Sequence, residues 1–202
     1  MDKYKETFTT WNKVASLYED KFMDLDLYNN TYNYFCELVK DNAKILKIGC
    51  GPGNITKYIL AKKPNLQILG LDIAPNMITL AKKNNPTASF KIMDGREINN
   101  LQVGYDAIIC GFYLPYLSKL ECASFVKDCN KLLTKNGVLY FSFVDGNPNK
   151  SGFITGSSGD KMYFNYHNLK GIEDVLFKIR KQINVNYPIN ETDFEVHTVL
   201  IT

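Results

Sequence analysis

Three glycines separated by single residues, Gly49, Gly51 and Gly53, join an apolar run, Ile45-Leu46-Lys47-Ile48, to a helical pattern that begins at Asn54. Glycine at such a turn lets the backbone approach a flat ligand with no Cβ in the way. Asp72 closes the next apolar run, Ile68-Leu69-Gly70-Leu71. At that position one carboxylate can accept from both hydroxyls of a ribose. A third run, Phe90-Lys91-Ile92-Met93, ends in Asp94 and Gly95, where a second carboxylate can face an exocyclic amino group such as that of adenine. The spacing G-x-G-x-G departs from the dinucleotide fingerprint G-x-G-x-x-G, in which a helix N-terminus faces a pyrophosphate. These residues therefore point to an adenosine-bearing ligand and argue against a nicotinamide dinucleotide.

A fourth run, Tyr105-Asp106-Ala107-Ile108-Ile109-Cys110-Gly111, completes the series. With these positions in order the sequence resembles the class I S-adenosylmethionine-dependent methyltransferases, in particular their small single-domain branch, over nearly the whole chain. The resemblance implies S-adenosylmethionine as cofactor and S-adenosylhomocysteine as product. It implies that Gly49, Cys50, Gly51 and Gly53 follow the methionine part, that Asp72 binds the ribose, and that Asp94 and Gly95 face the adenine. Ile73 and Met77 would pack on the adenine ring, and Cys110 would complete the cofactor-binding set. The implied activity is direct in-line methyl transfer to an oxygen, nitrogen or sulfur of a small, partly aromatic or apolar acceptor. The alternative is a noncatalytic protein, or partner subunit, that binds the same cofactor or its product.

One position departs from the family pattern. An acidic residue usually precedes the glycine turn by two, near the cofactor's amino group, and here it is Lys47. The sequence favours a Lys47 that extends its ammonium to solvent along an apolar stem, leaving backbone carbonyls to hold the amino group. The other reading aims Lys47 at the cofactor's positive groups, where like-charge repulsion in a partly desolvated site costs on the order of 1 to 4 kcal/mol.

Methyl transfer from a sulfonium requires alignment above all, and a general base only where the acceptor must lose a proton. Candidate catalytic residues are therefore optional ones. His167 can accept a proton near pH 7, or serve as a surface or capping residue. Tyr113 and Tyr116 follow the fourth run and either shape an acceptor pocket or pack. Tyr18 lies in the pattern Trp11-x-x-x-Ala15-x-x-Tyr18, from which, in the resembling family, a tyrosine often reaches the cofactor. His197, inside an expected strand, reads as structural. The Asn/Asp-Pro-Pro-aromatic motif of base and glutamine-amide methyltransferases is absent after the fourth run, and Cys110 lacks the preceding proline of cysteine-using enzymes.

The elements that must position these residues read as a doubly wound α/β layer structure. Strands are expected near 44–48, 67–71, 89–93, 105–110 and 137–144, with helices near 54–62, 75–83 and 119–133. Gly137 is expected to stop the last of these by taking the left-handed conformation. A helix near 168–180 and a hairpin of 182–187 with 194–201 complete a seven-stranded, mostly parallel sheet with an antiparallel C-terminal pair and helices on both faces. The chain divides into an N-terminal helical lid of two helical stretches (1–42), a cofactor-binding core (43–144), a candidate lid loop (145–167) and the C-terminal helix and hairpin (168–202), all one domain.

The 202 residues, 45% of them hydrophobic, suit one soluble domain. A net charge of +3 from 24 basic and 21 acidic residues, without a dense basic block, argues against nucleic acid as partner. No run is long enough to span a bilayer and the N-terminus lacks a signal-peptide core, so a cytoplasmic location is expected. Five cysteines with no C-x-x-C pair fit reduced, buried thiols, and no metal site is expected. A small-molecule acceptor is the expected partner; the sequence sets no oligomeric state.

Overall fold

The computed structural model describes residues 2–156, 159–174 and 179–202. Its N-terminal region holds three helices, α1 (Lys3–Lys13), α2 (Ala15–Phe22) and α3 (Asn29–Leu38), where the sequence suggested two. The first starts early because the Asp2 carboxylate accepts from the backbone N–H groups of Tyr4 and Lys5, at 3.0 and 3.4 Å. This caps donors that a helix start would otherwise leave unpaired. Val14 then leaves helical geometry, with ψ at 12°, and separates α1 from α2.

The strands in chain order are β1 (Lys44–Ile48), β2 (Gln67–Asp72), β3 (Ser89–Ile92), β4 (Tyr105–Gly111), β5 (Leu133–Val144), β6 (Gly152–Thr155), β7 (Lys161–Phe164), β8 (Lys181–Pro188) and β9 (Phe194–Ile201). Seven form one sheet in the order β3-β2-β1-β4-β5-β9-β8, and β6 pairs with β7 separately. The first five neighbours are parallel, whereas β9 runs antiparallel to both β5 and β8. The helices α4 (Asn54–Lys62), α5 (Pro75–Asn84) and α6 (Lys119–Leu132) connect the parallel strands, and the short α7 (Leu169–Glu173) follows β7.

Strand alternation divides the core between the two faces of the sheet. Leu46, Ile48, Ile108 and Phe141 meet Phe125 and Val126 of α6 on one side. Ile45, Ile109 and Tyr140 meet Phe35 of α3 and Ile59 of α4 on the other. Both faces of the central strands are therefore dry, which is why they read as continuous apolar runs.

Three sequence expectations need correction. Helix α6 begins with a reciprocal capping box between Ser118 and Glu121, but it ends at Leu132, and Leu133 is already extended. Gly137 does not take positive φ; β5 absorbs 133–137, with Leu133 beside Tyr105 and an irregularity in register before Ala107. The segment 145–167 is not a bare loop, since it contains the β6–β7 hairpin. The helix expected over 168–180 is observed as Leu169–Glu173; residues 179–180 are not helical, and 175–178 lie outside the described residues.

Candidate active site

The C-terminal ends of β1, β2 and β4 open into a cavity continuous with solvent. Its floor and walls comprise Gly49, Gly51, Asp72, Ile73, Met77, Met93, Asp94, Gly95, Gly111, Phe112 and Tyr113. Helix α1 roofs it with Lys3, Tyr4, Thr7, Phe8 and Trp11, and Tyr18 enters from α2. Arg96, Tyr116, Leu117 and Tyr163 complete the lining. The roof is held from outside by the hairpin: Thr7 Oγ1 accepts from the Tyr163 N–H at 2.9 Å, and Lys13 pairs with Asp160 at 2.7 Å. The segment 145–167 therefore reaches the cavity through Tyr163 and otherwise clamps α1.

Asp72 ties the glycine turn to the end of β2. Its Oδ2 accepts from Gly51 N–H and its Oδ1 from Ala74 N–H, both at 2.9 Å. Burial raises its carboxyl above the usual range although these amides and Lys47 pull the other way. Gly49 and Gly51 both sit at positive φ, 59° and 54°, which their turn requires. The ring of Tyr18 lies against the Gly51 face, with Cε1 3.8 Å from where a Cβ would stand.

The phenols stay protonated. Tyr18 is pushed up to about 12 by burial and then by Asp72, and burial also raises Tyr113 and Tyr116. A neutral phenol can donate a hydrogen bond, but it does not act as a base at physiological pH. Tyr113 is wedged over the turn, with ring atoms 3.1 Å from a notional Cβ on Gly49 and its hydroxyl 2.5 Å from one on Gly95.

Four sequence candidates do not reach the cavity. Cys50 is 1% exposed and packs with Ile78, Ala81 and Phe90 behind the turn. Gly53, at φ 88°, faces α5, where a Cβ would stand 2.2 Å from Asn85 Nδ2. The buried thiol of Cys110 faces Cys129 within the core on the α6 side. His167 is 6% exposed, and its Nε2 lies 3.0 and 3.1 Å from the carbonyls of Leu114 and Leu117. Burial lowers its pKa, so the expected proton acceptor is a neutral ring that ties the β7–α7 connection to the loop after β4.

Lys47 also departs from expectation. It does not extend to solvent: the residue is 1% exposed, and Nζ donates to Ile48 O at 3.0 Å and Gly49 O at 2.7 Å. Lys47 shares the face of β1 with Ile45, and α3 and α4 cover that face through Phe35, Ile55 and Ile59, so its stem has no path to water. Burial lowers its pKa.

The sequence reading missed Arg96, Met93, Phe112 and the α1 residues. Arg96 clasps Asp94, and a bulky residue at positive φ, Phe112 at 54°, turns the chain into the cavity after β4. Ser142 holds that turn, with Oγ 2.9 Å from the Phe112 N–H. The α1 residues do carry a sequence signal, since Tyr4, Phe8 and Trp11 recur at helical spacing on one face.

Comparison with known proteins agrees with this architecture. A family described as "Methyltransferase domain" matches residues 46–139, from β1 into β5. The carboxy-S-adenosyl-L-methionine synthase of Campylobacter hominis is 24% identical over 95% of this chain and 85% of its own length. The malonyl-[acyl-carrier protein] O-methyltransferase of Priestia megaterium is 29% identical over 88% of this chain and 69% of its own. A SAM-dependent methyltransferase structure from Leishmania major superposes with a TM-score of 0.73 at 17% identity, covering 98% of this chain and 82% of that one. Residues 46–139 thus match a methyltransferase domain, on the fold of the S-adenosylmethionine-dependent methyltransferase structures that the chain superposes on.

Proposed function

We propose that this methyltransferase acts on a small-molecule acceptor held under α1, by direct in-line transfer to an oxygen, nitrogen or sulfur atom. The observation that carries the reading is one cavity shared by the Asp72 carboxylate, the Cβ-free turn at Gly49 and Gly51, and an aromatic roof from α1. The donor set fits S-adenosylmethionine at its adenosine end. Asp72 would accept from the ribose hydroxyls, and Ile73, Met77 and Met93, which line the same cavity, would offer apolar faces to a flat ring. When bound, the cofactor supplies an electrophilic methyl on a sulfonium. What the chain contributes is alignment and exclusion of water, the main requirement for an in-line displacement.

Phe8, Trp11, Phe112, Tyr116 and Tyr163 surround the space left for an acceptor, and Lys3 and Arg96 give it two cations. Trp11 stands edge-on to both Tyr18 and Tyr116, at 5.4 and 5.9 Å between ring centroids, so the roof is a packed aromatic array. Of the carboxylates in this lining, Asp72 is bound by backbone amides and Asp94 by Arg96. Among the described residues the cavity therefore offers positioning groups in place of a poised base. That favours an acceptor already ionised or nucleophilic at neutral pH, such as a carboxylate or thiolate. One of the named relatives is described as a malonyl-[acyl-carrier protein] O-methyltransferase, which supports an acidic acceptor.

Calorimetric titration with S-adenosylmethionine and S-adenosylhomocysteine tests the cofactor reading. Micromolar binding that disappears in Asp72→Ala is expected; equal binding by that variant sinks the assignment. Turnover of a panel of carboxylic acids, thiols and amines then tests the acceptor class.

A further inference from the structure

Lys47 is a buried lysine with no carboxylate at ion-pair distance, although Asp72, on the cavity side, acts on it electrostatically. Among the described residues no Asp or Glu oxygen lies within 4.0 Å of Nζ, and the ammonium donates to two backbone carbonyls, Ile48 O and Gly49 O. An ammonium has three N–H groups, so one is left without a protein acceptor. Its place is specific. Gly49 and Gly111 both line the cavity, and a Cβ built on Gly111 would stand 3.9 Å from Nζ. The nitrogen therefore lies directly behind a wall made of two residues that have no side chain. Such a wall transmits the field of a buried charge to the cavity, because little polarisable matter intervenes.

The two carbonyls that Nζ occupies are also ones at the glycine turn that a ligand's ammonium would seek. A ligand cation there meets both a like charge and acceptors already engaged. A ligand anion meets an attractive charge.

We propose that Lys47 sets the charge preference of the subsite at the glycine turn: it favours a ligand that presents a carboxylate there and disfavours one that presents only an ammonium. This rests on the cofactor reading of the cavity and adds a specificity residue to it. It makes the amino-acid end of the cofactor recognised chiefly through its acid group, at a position where the family pattern has an acidic side chain near the amino group.

The test is calorimetric binding with no turnover involved. Wild-type protein, Lys47→Met and Lys47→Gln are titrated with S-adenosylhomocysteine, its analogue lacking the α-amino group, its analogue lacking the α-carboxylate, and 5′-methylthioadenosine, which lacks the whole amino-acid end. In wild type the acid-only analogue is expected to bind at least roughly tenfold tighter than the amine-only analogue, about one Kd decade. In both variants that ratio is expected to fall to about threefold or less, with affinity for 5′-methylthioadenosine unchanged. A wild-type preference for the amine-only analogue overturns the proposal without recourse to any variant. So does a ratio that survives in variants with native circular dichroism. If neither S-adenosylhomocysteine nor 5′-methylthioadenosine binds wild type, the cofactor reading itself fails, a result distinct from intact binding with an unaltered ratio.

Discussion

Arg96 grips Asp94 from the side: Nε lies 3.1 and 3.0 Å from the two carboxylate oxygens, and Nη2 lies 2.5 Å from Oδ2. The carboxylate expected to face an adenine is thus also the anchor of a guanidinium. That guanidinium lies over the Tyr4 ring, with Cζ 3.8 Å from its centroid, and the Tyr4 hydroxyl donates to Glu121 on α6. The roof helix is in this way latched to the core through Asp94, Arg96, Tyr4 and Glu121.

Replacing Arg96 by Met keeps the stem and removes the charge. The expected cost is about 1 kcal/mol, because the ion pairs are partly exposed and the cation–π contact is near the surface. Amide exchange in α1 should accelerate while β1 and β4 remain protected. Unchanged exchange in α1 would mean that the hairpin alone holds the roof.

Glu121 gives the latch a pH dependence. Burial tends to raise its pKa, but hydrogen bonds from Ser118 and Tyr4 outweigh burial and hold it below the usual range. A carboxyl lowered in the folded state contributes stability above its unfolded value of about 4.3 and loses it as pH falls through the folded value. Glu121→Gln should flatten this part of the acid limb of the stability curve. Denaturant melts between about pH 5 and 3 measure it, and identical slopes in the two proteins would dismiss the latch as a pH-sensitive contact.

The three glycines of the turn carry different burdens. Gly51→Ala meets only Tyr18 at ordinary contact distance, so its cost is that of positive φ, about 1–2 kcal/mol. Gly53→Ala adds a collision with Asn85 Nδ2, which must give up its 3.1 Å bond to Gly53 O. The total is expected to reach about 2–4 kcal/mol. Chemical denaturation of the two variants ranks them, and a milder Gly53→Ala would show that α5 yields easily.

These glycines also mark what the sequence could disclose. The strands β1, β2 and β4 were legible because a parallel strand dry on both faces must be largely apolar, and because β1 runs into the glycine turn and β2 ends in Asp72. What the spacing could not disclose was direction: Gly53 looks toward α5 and Cys110 toward α6, although both lie within motifs that border the cavity. The roof was legible only as an aromatic-rich region, since the contact of Thr7 with Tyr163 joins residues 156 positions apart. The β6–β7 hairpin escaped because its strands are four residues each, too short to show a period among Gly, Ser and Asn. Lys47 was misplaced for a related reason: its stem reaches water only if its face of the sheet is open, and the covering of that face by α3 and α4 is not written in the β1 sequence.

Lys47→Met should leave the fold intact and shift its pH response. Replacing an unpaired buried ammonium by an apolar side chain of similar length is expected to be neutral or stabilising by about 1–2 kcal/mol at pH 7. In wild type, burial lowers the Lys47 pKa, so the unfolded chain binds the extra proton between the folded value and about 10.4. Wild-type stability should therefore gain as pH rises through that window, and Lys47→Met should lack the gain. Melts from pH 7 to 10 measure the difference; a variant less stable than wild type across the whole range would show that the bonds to Ile48 O and Gly49 O outweigh the burial of the charge.

His167 supplies the sharpest separation of structure from catalysis. Its Nε2 is shared between Leu114 O and Leu117 O, with the Cys122 thiol at 3.8 Å, so Nε2 must carry a proton and the ring is fixed as that tautomer. Burial lowers its pKa against the pull of these two carbonyls. Because the folded value lies below the unfolded value of about 6.5, the neutral ring stabilises the fold above that pH, and the contribution is lost as pH falls below it. The ring resonances in an NMR titration should move only below about pH 6.5 and should not respond to S-adenosylhomocysteine. A His167→Gln variant, whose side-chain amide can still donate to one of the carbonyls, should lose stability while retaining KM for the cofactor and the pH profile of kcat. A kcat limb that vanishes in this variant would instead make His167 the proton acceptor, and would require the loop after β4 to open by enough to release its imidazole from Leu114 and Leu117.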